Sequence, residues 1–160
     1  MKGFVLALLA SAALMAPGPV AAAPHPGDDA APFSLPGVKG GTVSLAAYKN
    51  KPVYLNFFAS WCGPCNEEAA AVAGFDKKYR RRGLAIVGID EQEDNAKAVG
   101  FARKYRWQFP VALDDGEMGK RYGVYGLPVH IFIDKHGKLS TYRLGEMQTS
   151  EIEQAIRKIL

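Results

Sequence analysis

The stretch from Val53 to Cys65 constrains this chain more than any other. An apolar run, Val53 to Phe58, passes through Ala59-Ser60-Trp61 into Cys62-Gly63-Pro64-Cys65, and the sequence holds no further cysteine. A continuous apolar run of this length reads as a central strand buried on both faces. The residues after Cys65 carry helical periodicity, so the motif falls on the first turn of a helix, with Cys62 at its N-terminus as an exposed nucleophile. Two thiols at this spacing can close a small disulfide ring, and the unpaired N–H groups and dipole of the helix favour a thiolate on the first. Cys62 is then the attacking thiol and Cys65 the resolving one. Pro64 suits an early helical position, where its missing N–H costs nothing and its φ is already helical.

With 160 residues and 48% hydrophobic content, the chain makes one domain that can bury a core without disulfide staples. The cysteines are therefore available for chemistry. The net charge is +4, and without Lys2 it is 19 basic against 16 acidic residues, or +3. So mild an excess argues against a nucleic-acid partner. The dense run Lys77-Lys78 with Arg80-Arg81-Arg82 falls where a helix should end and complements its C-terminus.

Residues 1–22 read as a signal peptide. Lys2 is the positive start, Phe4 to Met15 the short apolar core, and Val20 to Ala23 the small-residue region, with cleavage after Ala22. A retained membrane anchor is the alternative. Against it, the apolar stretch is shorter than the roughly 20 residues that span a bilayer, and Pro17-Gly18-Pro19 interrupts it. No cysteine lies near the cleavage site to carry a lipid. The expectation is a soluble, periplasmic protein, a monomer, in an oxidising compartment where other redox proteins must maintain a paired thiol motif. Residues 23–31 read as a flexible leader, and 32–160 as the folded domain.

Within that domain Phe33 to Leu35 and Thr42 to Leu45 suggest a β-hairpin around Pro36-Gly37 and Gly40-Gly41. The helix from Pro64 to Arg82 places Ala69, Val72, Phe75 and Tyr79 on one face, with Gly83 just past its end. Leu84 to Ile89 is the next strand, and strand-helix-strand implies parallel pairing with a right-handed crossover. A second helix runs from about Asp94 to Tyr105, capped by Asp94 and burying Val99, Ala102 and Tyr105. Val111 to Leu113 is a short strand and Gly116 to Tyr122 a short helix. Val129 to Ile133 and Leu139 to Gly145 form a hairpin whose turn places Gly137 where φ is positive. Ser150 to Glu153 reads as a capping box for a last helix burying Ile152, Ala155, Ile156 and Ile159.

Trp61-Cys62-Gly63-Pro64-Cys65, with Gly126-Leu127-Pro128 downstream and a two-strand hairpin after it, resembles the thioredoxin superfamily. Within it the chain looks like the exported TlpA/ResA branch, which includes thiol-disulfide proteins of cytochrome c maturation. The early hairpin, the insertion from about Asp94 to Leu113, Phe109-Pro110-Val111 and Phe132 to Gly137 support the branch. The resemblance covers roughly Ala31 to Leu160. It implies an α/β, thioredoxin-like fold: a central mixed sheet flanked by helices, with an N-terminal β-hairpin and an inserted strand-helix segment.

It also implies site residues. Pro128 is the counterpart of the family's cis proline beside the cysteines, and the backbone of Leu127 would pair with an extended substrate segment. Trp61 would shade the nucleophile. Thioredoxins proper have a buried Asp six residues before the first cysteine, where this chain has Asn56, which cannot titrate. The resemblance to ResA-like proteins moves the acid to the loop after the next strand. It aligns Glu93 there, with Glu91 the competing position and a pair of solvated loop carboxylates the bland reading.

Other chemistries fit less well. Cys62 and Cys65 could join His130 and His136 on zinc, but 64 residues separate the pairs, and His130 reads as a strand residue near the active-site face. Trp107 reads as packing. A copper-site assembly factor using the two thiols on Cu(I) lacks further Met, Cys or His ligands, and a thiol peroxidase lacks its lone cysteine with Thr and Arg. The expectation is an enzyme without cofactor or metal that reduces disulfides of exported proteins, apocytochrome c among them, fed by a membrane thiol reductant.

Overall fold

The computed structural model describes residues 24–160, so the signal segment lies outside the described residues. Its centre is β3 (Val53–Phe58), and every one of its side chains is buried. Leu55 and Phe57 face one apolar cluster while Tyr54 and Phe58 face the other, so a strand reading as continuously apolar becomes the shared wall of two cores. At roughly 1.5–3 kcal/mol for each large apolar side chain fully buried, this strand is a large contributor to the fold.

Five strands make the main sheet, in the order β5-β4-β3-β6-β7. β4 (Ala85–Glu91) lies parallel to β3, and β5 (Val111–Asp114) parallel to β4. β6 (Val129–Ile133) pairs antiparallel with β3, and β7 (Leu139–Leu144) antiparallel with β6. The expected hairpin is a separate two-stranded sheet, β1 (Ser34–Pro36) with β2 (Thr42–Ser44), which leans on β5 through Val38 N–H to Val111 C=O.

α1 (Gly63–Tyr79) continues into a 3-10 turn, Arg80–Arg82, and Gly83 ends it at φ 98°. α2 (Asn95–Lys104) is capped as expected, Asp94 Oδ1 accepting from Lys97 N–H at 2.9 Å. Its buried stripe is Ala98, Phe101 and Ala102, whereas Val99 and Tyr105 are only half-buried. Phe101 turns inward because Phe58 and Trp107 offer it an aromatic cluster, with ring centroids 4.6 and 5.1 Å away. Trp107 is a packing residue that also donates Nε1–H to Ala69 C=O on α1 at 2.9 Å. α3 (Glu117–Arg121) is short, and α4 (Thr149–Ile159) buries the four residues anticipated.

Two expectations need correction. The capping box is Gln148 with Glu151, whose carboxylate accepts Gln148 N–H at 2.8 Å, two residues earlier than Ser150 with Glu153. Glu153 is drawn instead to Lys78 and Tyr79 of α1, partners that offer a charge and a hydroxyl. The segment read as a flexible leader is also held. Gly27 N–H donates to Leu139 C=O at 2.7 Å, Ala30 N–H to Gly137 C=O at 2.9 Å, and Lys138 Nζ meets Asp29 at 2.7 Å. Its polar composition hides a partner, the β6–β7 turn, more than a hundred residues along the chain.

Two close approaches depend on glycine. A Cβ on Gly88 of β4 would come within 2.8 Å of the Trp107 ring, and one on Gly119 of α3 within 2.7 Å of Glu91 Oε1. Glu91 is thereby enclosed beside Asp114, whose carboxylate caps α3 through Met118 N–H and Gly119 N–H at 3.1 and 2.7 Å. Burial, then the charge of Asp114, pushes Glu91 up to about 8. Asp90, wholly covered at the end of β4, is pushed up to about 7 by burial and by Glu93.

Two outcomes follow from this packing. Gly88→Ala should lower unfolding stability in urea by about 1–3 kcal/mol, the usual cost of overpacking. Glu91 and Asp90 hold their protons more tightly in the folded chain than in the unfolded one, where carboxyls titrate near 4. Their stabilisation is therefore complete below about pH 4 and is lost as pH rises through about 7 to 8. Glu153, lowered to about 2 by Lys78 and Tyr79, contributes a constant amount across that window. Melting temperature should fall from pH 5 to pH 9, and Glu91→Gln should flatten the decline; equal slopes in the two proteins would contradict the assignment.

Candidate active site

β3 ends at Phe58 and the chain turns through Ala59-Ser60-Trp61 into α1, so the cysteines stand at the carboxyl end of the central strand. Cys62 is the N-cap of α1, and its Sγ accepts from Cys65 N–H at 3.2 Å. The two are joined as a disulfide with Cα atoms 5.3 Å apart. Both are 4% exposed and belong to the apolar cluster on the α1 side of the sheet, so in the oxidised pair Cys62 is not the exposed group expected. Trp61, expected as a shade, keeps 71% of its surface in solvent and is open to a partner.

The loop before Cys62 is clamped from two directions. Glu93, half-buried just before α2, accepts from Ser60 N–H at 2.5 Å and from Ser60 Oγ–H at 2.7 Å. Asn66, the residue after Cys65, donates Nδ2–H to Ser60 C=O and Cys62 C=O at 3.0 and 2.8 Å. Its Oδ1 accepts from Lys104 Nζ at 3.0 Å and Tyr105 O–H at 2.7 Å. The two ends of α2 thus reach the same few residues of the cysteine loop. Glu91, the competing acid, lies on the α3 side with Asp114, away from this loop.

Leu127-Pro128 is a cis peptide bond immediately before β6. Pro128 is buried, and half-buried Leu127 packs against the cluster containing both cysteines. Gly126 approaches Leu144, which with Tyr125 and Trp61 is among the exposed large apolar side chains. A buried polar set lies on the α1 side of the sheet: Tyr54 and Asn56 of β3, His130 of β6 and Glu68 of α1. Tyr54 Oη is 2.8 Å from His130 Nδ1, and Glu68 Oε1 accepts Met147 N–H at 2.6 Å.

Glu68 and Asn66 are missed by sequence reasoning. Glu68 carried a signal, because three residues after Cys65 on a helix means the same face, yet its place in the first turns suggests only a dipole effect. Asn66 carried none, since Lys104 and Tyr105, which hold it, come from the far end of α2.

The sequence profile of the AhpC/TSA family, described by that name, matches residues 26–142. The thiol-disulfide oxidoreductase ResA of Bacillus thuringiensis subsp. konkukian is 35% identical over 134 residues, covering 83% of this chain and 78% of that protein. Among solved structures, a Chlorobium tepidum protein described as the thiol:disulfide interchange protein DsbE superposes with a TM-score of 0.79 at 33% identity, covering 84% of this chain and 97% of that one. A secreted Mycobacterium tuberculosis disulfide oxidoreductase homologous to DsbE gives 0.72 at 25% identity, covering 79% and 95%. With the fold, the cis proline and a bonded Cys62–Cys65 pair at a helix N-terminus, these matches place the chain in the AhpC/TSA family as a thioredoxin-like thiol-disulfide oxidoreductase.

Proposed function

We propose that the protein works as a reductant of disulfides in exported proteins, apocytochrome c among them, and is recharged by a membrane thiol reductant. The observation that carries this reading is the Cys65 N–H on Cys62 Sγ. A sulfur at a helix N-terminus held by a backbone N–H, with Gly63 and Pro64 adding no side-chain donor, gains enough thiolate to attack but not the extreme stabilisation of strong oxidants. In the reduced protein the Cys62 thiolate attacks a substrate disulfide, forming a mixed disulfide and releasing one substrate thiolate. Cys65 then loses its proton and attacks Cys62, closing the intramolecular disulfide and freeing the second substrate sulfur.

Leu127 and Pro128 supply the backbone edge for the substrate segment, and Trp61 its apolar contact. Glu68, buried one turn beyond Cys65, takes the Cys65 proton. Glu93 acts on the nucleophile through its hold on Ser60. The soluble periplasmic form fits this role, and no helix among the described residues is long and apolar enough to cross a membrane.

Cys65→Ser expressed in the exported compartment should accumulate long-lived mixed disulfides that a non-reducing gel resolves and mass spectrometry identifies. Finding none, while Cys62→Ser keeps reducing activity, would overturn the assignment of the attacking thiol. Glu68→Gln should slow resolution by about a hundredfold near neutral pH, within the range for positioned acid-base groups. Glu93→Gln, which replaces one of the two oxygens that accept from Ser60 with an NH2 donor, should slow disulfide reduction, whereas Glu91→Gln should leave its rate unchanged; the reverse pattern would exchange the two residues.

A further inference from the structure

His130 is wholly buried on β6, directly across from Asn56 in the β3 register. A buried imidazole is costly unless both nitrogens find partners. Nδ1 has one in Tyr54 Oη at 2.8 Å, with Asn56 Nδ2 at 3.4 Å. Asn56 Nδ2–H also donates to Tyr54 Oη at 3.2 Å, which leaves the tyrosine proton directed at Nδ1. Burial, followed by the negative charge of Glu68, holds the Tyr54 hydroxyl well above its ordinary range, so it remains a donor. With Nδ1 accepting, the ring proton is on Nε2.

Nε2 faces Glu68 Oε2 at 3.2 Å, yet neither atom completes an aligned hydrogen bond in the oxidised protein. These are two buried polar atoms, both without another hydrogen-bond partner, that face each other. Glu68 is 7% exposed, and its second oxygen is fixed by Met147 N–H at 2.6 Å. Nearby, the Phe132 ring stacks on Tyr54 at 4.5 Å, Ile152 and Ile156 of α4 are buried in the cluster on this side of the sheet, and Arg143, opposite His130 on β7, is exposed.

We infer that His130, held by Tyr54, is the positioning residue that aligns the Glu68 carboxylate to receive the proton of Cys65. The inference rests on the reading of Glu68 as proton acceptor. During resolution the Cys65 S–H proton passes to Glu68 and the sulfur electron pair forms the bond to Cys62. The bond from Cys62 to the substrate breaks, and the substrate sulfur leaves as a thiolate with that bonding pair. The Nε2–H contact holds Oε2 in place, and a donor facing a carboxylate favours its charged form.

The reaction of the fully reduced protein with Ellman's reagent separates the steps, because Cys62 attack releases one thionitrobenzoate and Cys65 resolution a second. His130→Phe should leave the first release unchanged and move the pH midpoint of the second upward by about one unit or more, a tenfold loss at fixed pH below it. His130→Gln, which returns an N–H toward Glu68, should restore most of the rate, and His130→Phe should add nothing in a Glu68→Gln background. An unchanged second release in His130→Phe alongside a shifted one in Glu68→Gln overturns the inference and leaves Glu68 its role. Unchanged profiles in both remove the two together, and absence of any second release from the wild-type protein removes the oxidoreductase reading itself. Should His130→Phe fail to fold, the imidazole nitrogen shifts of the labelled wild-type protein decide: an Nε2–H tautomer supports the inference, and an Nδ1–H tautomer overturns it.

Discussion

The hydrogen bond from Cys65 N–H to Cys62 Sγ is the interaction on which the rest of the structure depends. It exists because a strand buried on both faces ends where a helix begins, which leaves the first N–H groups of that helix without backbone partners. A sulfur placed there is at once a helix cap and an incipient thiolate. The same bond therefore serves folding and chemistry, and everything else at the site adjusts where that sulfur is and what it meets.

Position is set by α2 and the loop before it. Glu93 holds Ser60 from one side, while Lys104 and Tyr105 hold Asn66, which holds Ser60 and Cys62 from the other. Phe101 and Trp107 lock this brace to β3 and α1 through the aromatic cluster and the bond to Ala69. The segment that looks like an insertion in sequence thus functions as the outer wall of the cysteine loop. The buried polar set formed by β3, β6 and the second turn of α1 shares no side chain with this brace.

Most of the fold was legible because each element carries its own local evidence: the apolar run of β3, the Gly83 stop of α1, the Asp94 cap of α2, the Gly137 turn. The cysteine pair was legible for the same reason. What could not be seen was pairing across distance. Asn56 looks like a lost acid until β6 brings His130 beside it, and residues 24–31 look unstructured until the β6–β7 turn gives their backbone somewhere to bond. The α4 cap moved by two residues because Glu153 found partners on α1 that outweigh a terminal N–H. Local chemistry fixes which residues can react; the sheet register decides which of them meet.

The central claim is that backbone N–H groups supply most of the stabilisation of the Cys62 thiolate, and this makes the protein a reductant. Equilibrating the Cys62–Cys65 pair against defined glutathione ratios measures that stabilisation directly, since each tenfold gain in the reduced form raises a two-electron potential by about 30 mV. The account predicts a low potential, in the region of thioredoxin at about −270 mV. A value near the roughly −120 mV of DsbA would contradict it and make the protein an oxidant.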